Sequence, residues 1–310
     1  MPIDVRRALT AAPRSAAVTW DATDVQLYHL GIGAGVPATD PAELRYTLES
    51  RLHALPAFAT VAGARSGVIS ALSAPGVDVD LAAVLHGGQR LDLHRPVPVS
   101  GRAVTTSRVT AVYDKGRAAL VVLRSETADG DGPLWTSEAE VYVRGEGGFG
   151  GERGPARPTA APDRAPDRTV ERPVREDQAL LYRLSGDRNP LHADPEFARR
   201  AGFDRPVLHG LCTYGMTLKA VVDTVLGGDV TRVRAYHARF TGVVYPGETL
   251  RVRIWDATDR PDRAATDRPD RTGTGTGTGA GIRVAVTVAE RGDAPVLSGT
   301  VGEPDGPATT

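Results

Sequence analysis

Asp187, Asn189, His192, Asp194 and His209 all fall within YRLSGDRNPLHADPEFARRAGFDRPVLHG, the stretch from Tyr182 to Gly210. Elsewhere the chain is dominated by Ala, Val, Arg, Gly and Pro, so this concentration of titratable groups stands apart. A carboxylate near an imidazole can exchange protons with a substrate at neutral pH. The same residue types could also ligate a metal, with His192, Asp194 and His209 as the set, or simply cap turns and helices. Residue type alone leaves all three readings open.

The elements that must hold these groups are legible around them. GDRNPLH carries two turn signals, Gly-Asp and Asn-Pro, which put Asp187 to His192 in a tight irregular segment. HADPEFARRAG predicts a short helix with Asp194 as N-cap, Pro195 at its first position and Gly202 as its stop. A longer helix follows in LCTYGMTLKAVVDTVLGG, with Leu211, Tyr214, Leu218, Val221, Val222 and Val225 at helical spacing and Gly227-Gly228 as the stop. Gly210 stands at its N-terminus, where unpaired backbone N–H groups and the positive end of the helix dipole suit a developing negative charge on oxygen.

The rest of the chain reads as two halves of similar pattern. The first opens with a short strand, AAVTW, and a helix, DATDVQLYHLG, ended by Gly31. DPAELRYTLESRL follows as a helix with Asp40 as N-cap, Pro41 at N1 and Glu43 completing a capping box, its Leu44, Leu48 and Leu52 on one face. Extended segments start at Arg90: RLDLHRPVPV, GRAVTTSRVTAVYDK, RAALVVLRSETA and LWTSEAEVYVRG, the last three joined by hairpin turns. Gly147–Pro173, rich in Gly, Pro and paired charges, reads as a linker. The domains are then 1–146 and 174–310. Within the second, the Asp-Arg and Thr-Gly repeats of 256–281 read as a disordered insertion between strands.

Composition removes several function classes. At 310 residues, two domains are expected, and no apolar run approaches the ~20 residues of a membrane span. The N-terminus lacks the apolar core of a signal peptide, which points to a soluble cytoplasmic protein. The formal charge of −1 and the lack of a basic, aromatic-laced block argue against nucleic acid. A single cysteine, Cys212, excludes an intrachain disulfide and a four-cysteine zinc site, and its apolar surroundings suit a small buried hydrophobe. GIGAG, Gly31 to Gly35, mimics a dinucleotide loop, but it follows a helix rather than a strand.

The YRLSGDRNPLH segment closely resembles the hydratase-2 motif of the MaoC-like dehydratases, the (R)-specific enoyl-CoA hydratases: an aromatic, small residues, then Gly-Asp-x-Asn-Pro-hydrophobic-His. RPVLHGLCTYG is also much like the family. In the first half LYHLGIGAG, LHGGQRLDLHRPVPVSG, VYDKGRAALVV and VRGEGGFGG resemble the N-terminal half of its two-domain form. The resemblance implies an α+β double hot-dog, two antiparallel sheets each wrapping a central helix. It implies a first half without the catalytic motif that makes room for the acyl chain. It implies syn hydration of trans-2-enoyl-CoA to the (3R)-3-hydroxyacyl-CoA, with no cofactor and no metal, acyl-CoA as the partner and room for a homodimer.

Carried over residue by residue, Asp187 and His192 hold the water, Asn189 orients them or the substrate, and the Gly210 N–H binds the thioester oxygen. Arg183, Asp194 and His209 are expected to support the site, and Tyr28 and Glu49 to shape it from the first half. Two rivals remain: a dehydratase acting on acyl carrier protein thioesters, and a non-catalytic hot-dog protein that only binds acyl thioesters.

Overall fold

The computed structural model describes residues 3–62, 74–155, 161–256 and 281–302. Both halves repeat one strand order. The first contributes β1 (Arg14–Trp20), β2 (Val84–Leu93), β3 (Gly101–Asp114), β4 (Ala118–Asp129) and β5 (Gly132–Arg144). The second contributes β6 (Arg168–Pro173), β7 (Ala235–Phe240), β8 (Thr249–Trp255), β9 (Ile282–Val288) and β10 (Ala294–Gly302). Their spatial orders, β1-β3-β4-β5-β2 and β6-β8-β9-β10-β7, are the same once each half is numbered from its own first strand. The resulting α+β fold is a double hot-dog. Its two sheets are fused: β2 and β7 pair antiparallel, Gly88–Asp92 against Ala235–Arg239, and make one ten-stranded sheet.

The helix wrapped by the second half is α6 (Gly210–Thr224), preceded in the chain by α1 (Val5–Thr10), α2 (Ala22–Gly31), α3 (Pro41–Thr47), α4 (Gln178–Tyr182) and α5 (Pro195–Arg200). Spacing marked one apolar face on α6, yet every residue from Leu211 to Val222 is buried. The sheet covers one side of it, through β6, β7, β8 and β10, and first-half segments cover the other. A helix buried all round must bury its polar residues too. Lys219 lies 2.6 Å from Glu43 and 2.7 Å from Asp223, with its ammonium 4.6 Å from the centre of the Tyr46 ring. The first-half helices expected from sequence are α2 and α3, the second shorter than expected.

The first half packs closely on α6 at Gly215. A Cβ there would stand 2.5 Å from the Tyr28 hydroxyl and 2.8 Å from Ile32. Gly215→Ala is therefore expected to destabilise the protein by about 1–3 kcal/mol through overpacking, outweighing the ~1 kcal/mol helix-propensity gain. Urea unfolding of the two proteins checks this; a more stable variant would refute the close packing.

Three sequence expectations change. The helix from Pro41 stops at Thr47, not Leu52: Gln26 donates to the Thr47 carbonyl at 2.7 Å, and Leu48 is extended. Asp40 caps it as expected, but Glu43 leaves the capping box for Lys219 and the Gly35 N–H. Strand β2 begins at Val84 rather than Arg90 and ends at Leu93, ahead of Pro96 and Pro98, which lack the N–H a ladder needs.

The third change concerns Gly147–Pro173, read as linker, whose last six residues are strand β6 on β8. Alternating charge there marks a sheet edge, where charged side chains discourage further pairing. The beginning of the same stretch is fastened by Asp114, whose carboxylate accepts from the Gly148 and Gly150 N–H groups at 2.9 and 2.8 Å. The insertion read at 256–281 lies, apart from its two end residues, outside the described residues.

Candidate active site

Asp187, Asn189, His192, His209 and Gly210 all line one cavity of about 510 Å³. A turn and a short 3-10 helix bring the first three together. Gly186, at φ 129°, makes the bend that a side-chain-bearing residue resists. Asp187 Oδ1 then accepts from the Asn189 N–H at 3.1 Å, and Asn189 Oδ1 accepts from the Leu191 N–H at 3.0 Å. Asn189 thus caps the 3-10 turn Pro190–His192 that carries the imidazole. Its side-chain oxygen aims the histidine through the backbone.

His192 donates from Nδ1 to the Val207 carbonyl at 2.8 Å. This bond fixes the tautomer and leaves the Nε2 lone pair for chemistry. Burial lowers the pKa of His192 below the usual 6.5, while the negative charge of Asp187 opposes that shift. A ring-nitrogen proton acceptor is therefore present at neutral pH. If His192 is the base, kcat/KM must fall on the acid side through an apparent pKa below 6.5, since the rate needs the neutral ring and burial favours it. A pH–rate profile checks this; an acid limb above 6.5 would rule out His192 as the group responsible.

His209 stands next to this pair. Its ring stacks on His192, centroids 3.7 Å apart and planes 27° apart, and its Nε2 donates to the Asp187 carbonyl at 3.1 Å. Gly210, the next residue, opens α6, and no side chain caps its helix end. A Cβ on Gly210 would meet the Phe240 ring at 3.3 Å, so the missing side chain keeps this end of the cavity open. Its N–H, at the first position of α6, makes no intrahelical bond, and the helix dipole behind it suits negative charge on oxygen.

Ligating atoms of Asp187, His192 and His209 lie within 4.8 Å of one another, a metal-type set in which Asp187 replaces the Asp194 expected from sequence. Each imidazole already spends one ring nitrogen on a carbonyl, His192 Nδ1 on Val207 and His209 Nε2 on Asp187, so each has one nitrogen left. Asp194 is committed elsewhere. It caps α5, accepting from the Glu196 and Phe197 N–H groups at 2.8 and 3.3 Å, and does not line the cavity.

The remaining sequence candidates stand further out. Arg183 donates to the Arg188 carbonyl at 3.2 Å, bracing the turn, and its charge helps lower the pKa of His192 and His209. Tyr28 is fully buried against Gly215 and does not line the cavity. Glu49 is exposed and accepts from Gln26 at 2.9 Å, also away from the cavity. Cys212 is buried, with Sγ 3.4 Å from the Gly31 carbonyl and its thiol pKa pushed upward by burial, which suits an inert core residue.

Sequence reasoning expected the first half to make room for an acyl chain but named none of the first-half residues that line the cavity. Leu85, His86, Leu120 and Tyr142 line the same cavity, and the His86 ring lies 5.0 Å from that of Phe240. LHGGQR was the available signal. Its Gly87 is the extra residue of a β-bulge between His86 and Gly88, a device that re-aims side chains beside active sites.

A double hot-dog with an aspartate–histidine pair beside a helix N-terminus defines the class of hot-dog dehydratases and hydratases. The profile of the MFE-2 hydratase 2 N-terminal domain matches residues 18–145, and that of the MaoC like domain matches residues 158–270. The chain is 50% identical over 257 residues to the enoyl-CoA hydratase ChsH3 of Mycobacterium tuberculosis, covering 82% of this chain and 90% of that one. It is 38% identical over 255 residues to the peroxisomal enoyl-CoA hydratase 2 of Arabidopsis thaliana, covering 76% and 82%.

Among solved structures, a MaoC-like dehydratase from Phytophthora capsici superposes with a TM-score of 0.79 at 28% identity, covering 99% of this chain and all of that one. A Mycobacterium tuberculosis protein described as a double hot-dog, 17% identical with a TM-score of 0.58, shares the fold over 94% of each chain. This chain belongs to the MaoC-like, hydratase 2 family.

Proposed function

We propose that this protein is a hydro-lyase that reversibly hydrates trans-2-enoyl-CoA to (3R)-3-hydroxyacyl-CoA. The observation that carries the reading is the meeting of Asp187, His192 and the Gly210 N–H on one cavity at the N-terminus of α6. Acceptor atoms no more than 4.8 Å apart on Asp187 and His192 leave room for one water hydrogen-bonded to both.

Asp187 orients that water, and His192 Nε2 takes one of its protons as the oxygen bonds to C3. The C2–C3 π electrons move toward the thioester, whose oxygen becomes an enolate held by the Gly210 N–H. His192 returns the proton to C2 on the same face, which makes the addition syn. The Asp187 carboxylate stabilises the imidazolium in the interval. Water is the only co-reactant, and no cofactor takes part.

The names of the relatives favour the CoA thioester over an acyl carrier protein-linked substrate. The intact acid–base set favours catalysis over mere thioester binding, which has no use for a proton acceptor. Among the described residues no helix is long and apolar enough to cross a membrane. The same reading keeps the expectation of a cytoplasmic enzyme with room for a homodimer.

Purified protein mixed with crotonyl-CoA and with a medium-chain trans-2-enoyl-CoA is expected to consume enoyl absorbance and release the (3R) product on chiral analysis. An (S) product would sink the mechanism. Turnover confined to carrier-protein thioesters would move the assignment to the dehydratase reading.

A further inference from the structure

Asp187 and His192 sit on one turn and Gly210 opens α6, and one side chain touches or adjoins all three. His209 donates from Nε2 to the carbonyl of Asp187, stacks its ring on His192, and is the residue immediately before Gly210. It occupies the N-cap position of α6 without making a side-chain cap. The imidazole is thus turned from the usual work of that position toward the dyad. It is 1% exposed, and its other face meets Tyr182 at 4.9 Å between ring centres.

We infer that His209 is a positioning residue of this site, a plate that fixes the Asp187 backbone and shields one face of His192. The inference rests on the hydration reading for its kinetic consequence but not for its structural one. Two contacts do separable jobs. The N–H to the Asp187 carbonyl sets where the carboxylate turn sits, and a displacement of about 1 Å in such a turn costs on the order of 10²-fold in rate. The stacked ring keeps water off His192, whose pKa is lowered chiefly by burial.

Neutrality is part of the role. Burial and the neighbouring His192 and Arg183 push the pKa of His209 well below 6.5, so it does not compete for the proton that His192 carries. Among the described residues its Nδ1 has no hydrogen-bond partner. The ring is therefore held by stacking and a single N–H bond.

Three variants separate the jobs. His209→Phe keeps a ring and drops the N–H donor: kcat is expected to fall about 10- to 100-fold with KM within threefold and the acid limb of kcat/KM unmoved. His209→Ala drops both, and its acid limb should move up toward pH 6.5 as water reaches His192. His209→Gln, which offers a side-chain N–H, should recover part of the kcat lost in His209→Phe.

The substrate-independent readout is a ¹⁵N NMR titration of the His192 imidazole, with an upward pKa shift expected in His209→Ala. If His209→Ala does not fold, His209→Phe and His209→Gln carry the kinetic test. Wild-type kcat in folded His209→Phe and His209→Ala, a loss confined to KM, or an unmoved His192 titration in folded His209→Ala would overturn the inference. Absence of hydratase activity in the wild-type protein would instead refute the hydration reading, with the NMR arm still decisive for His209.

Discussion

His192→Gln is expected to lower kcat for enoyl-CoA hydration by about 10²- to 10⁴-fold, the usual worth of a general base, with little change in KM. Glutamine is polar and smaller than histidine, so the effect falls on the chemistry more than on the cavity. It has no basic nitrogen to take the proton from water. Asp187→Asn should lose rate by a similar factor, because the amide oxygen can still accept from the Asn189 N–H and keep the turn while the charge opposite the imidazolium is gone. Thermal unfolding within a few degrees of wild type identifies the loss as chemical. Either variant turning over at the wild-type rate, shown to be folded by circular dichroism, would remove that residue from the mechanism.

Gly210→Pro tests the oxyanion site with one atom group. Position N1 of a helix tolerates proline, because its N–H makes no intrahelical bond and φ near −65° already suits the helix. His209 has ψ 134°, the extended conformation that a residue before proline prefers. The helix should therefore survive while the donor proposed for the thioester oxygen disappears. A fall in kcat of about 10² or more is expected. Gly210→Ala is the control for bulk: it keeps the N–H and adds only a Cβ 3.3 Å from the Phe240 ring. Equal losses in the two variants would show that space, not the N–H, is what Gly210 supplies.

Local order is what the sequence wrote plainly. Asp194-Pro195 announced the start of α5, Gly227-Gly228 the end of α6, and the hairpin turns of the first half fell where Gly and Asp cluster. These signals act over a few residues through φ restrictions and capping bonds, so spacing reveals them. Contacts made across the fold left no comparable mark. The pairing of Gly88 with Arg239 joins residues from opposite halves, and nothing in the alternation of β2 or β7 names its partner. His86 and Tyr142 reach the cavity only because of that seam and the bulge at Gly87.

The candidate site divides in the same way. The turn holding Asp187, Asn189 and His192 could be read from Gly-Asp and Asn-Pro. The stacking of His209 on His192 depends on the chain returning at Val207, whose carbonyl also orients His192. Resemblance suggested that Tyr28 and Glu49 help shape the site or the interface; the geometry puts Tyr28 in the packing between the halves, against Gly215, and Glu49 beside Gln26 at the turn after α3.

The seam between β2 and β7 also limits how the molecule can move. Two domains joined by a tether can open like a jaw and take up a ligand between them. Here a clamshell motion would have to tear a five-residue ladder out of a ten-stranded sheet, exposing its backbone donors and acceptors together. On the proposed reading, an acyl thioester then enters a cavity whose two halves do not swing apart. Traffic into the cavity falls to local shifts of the segments that line it away from the seam, such as residues 241–244.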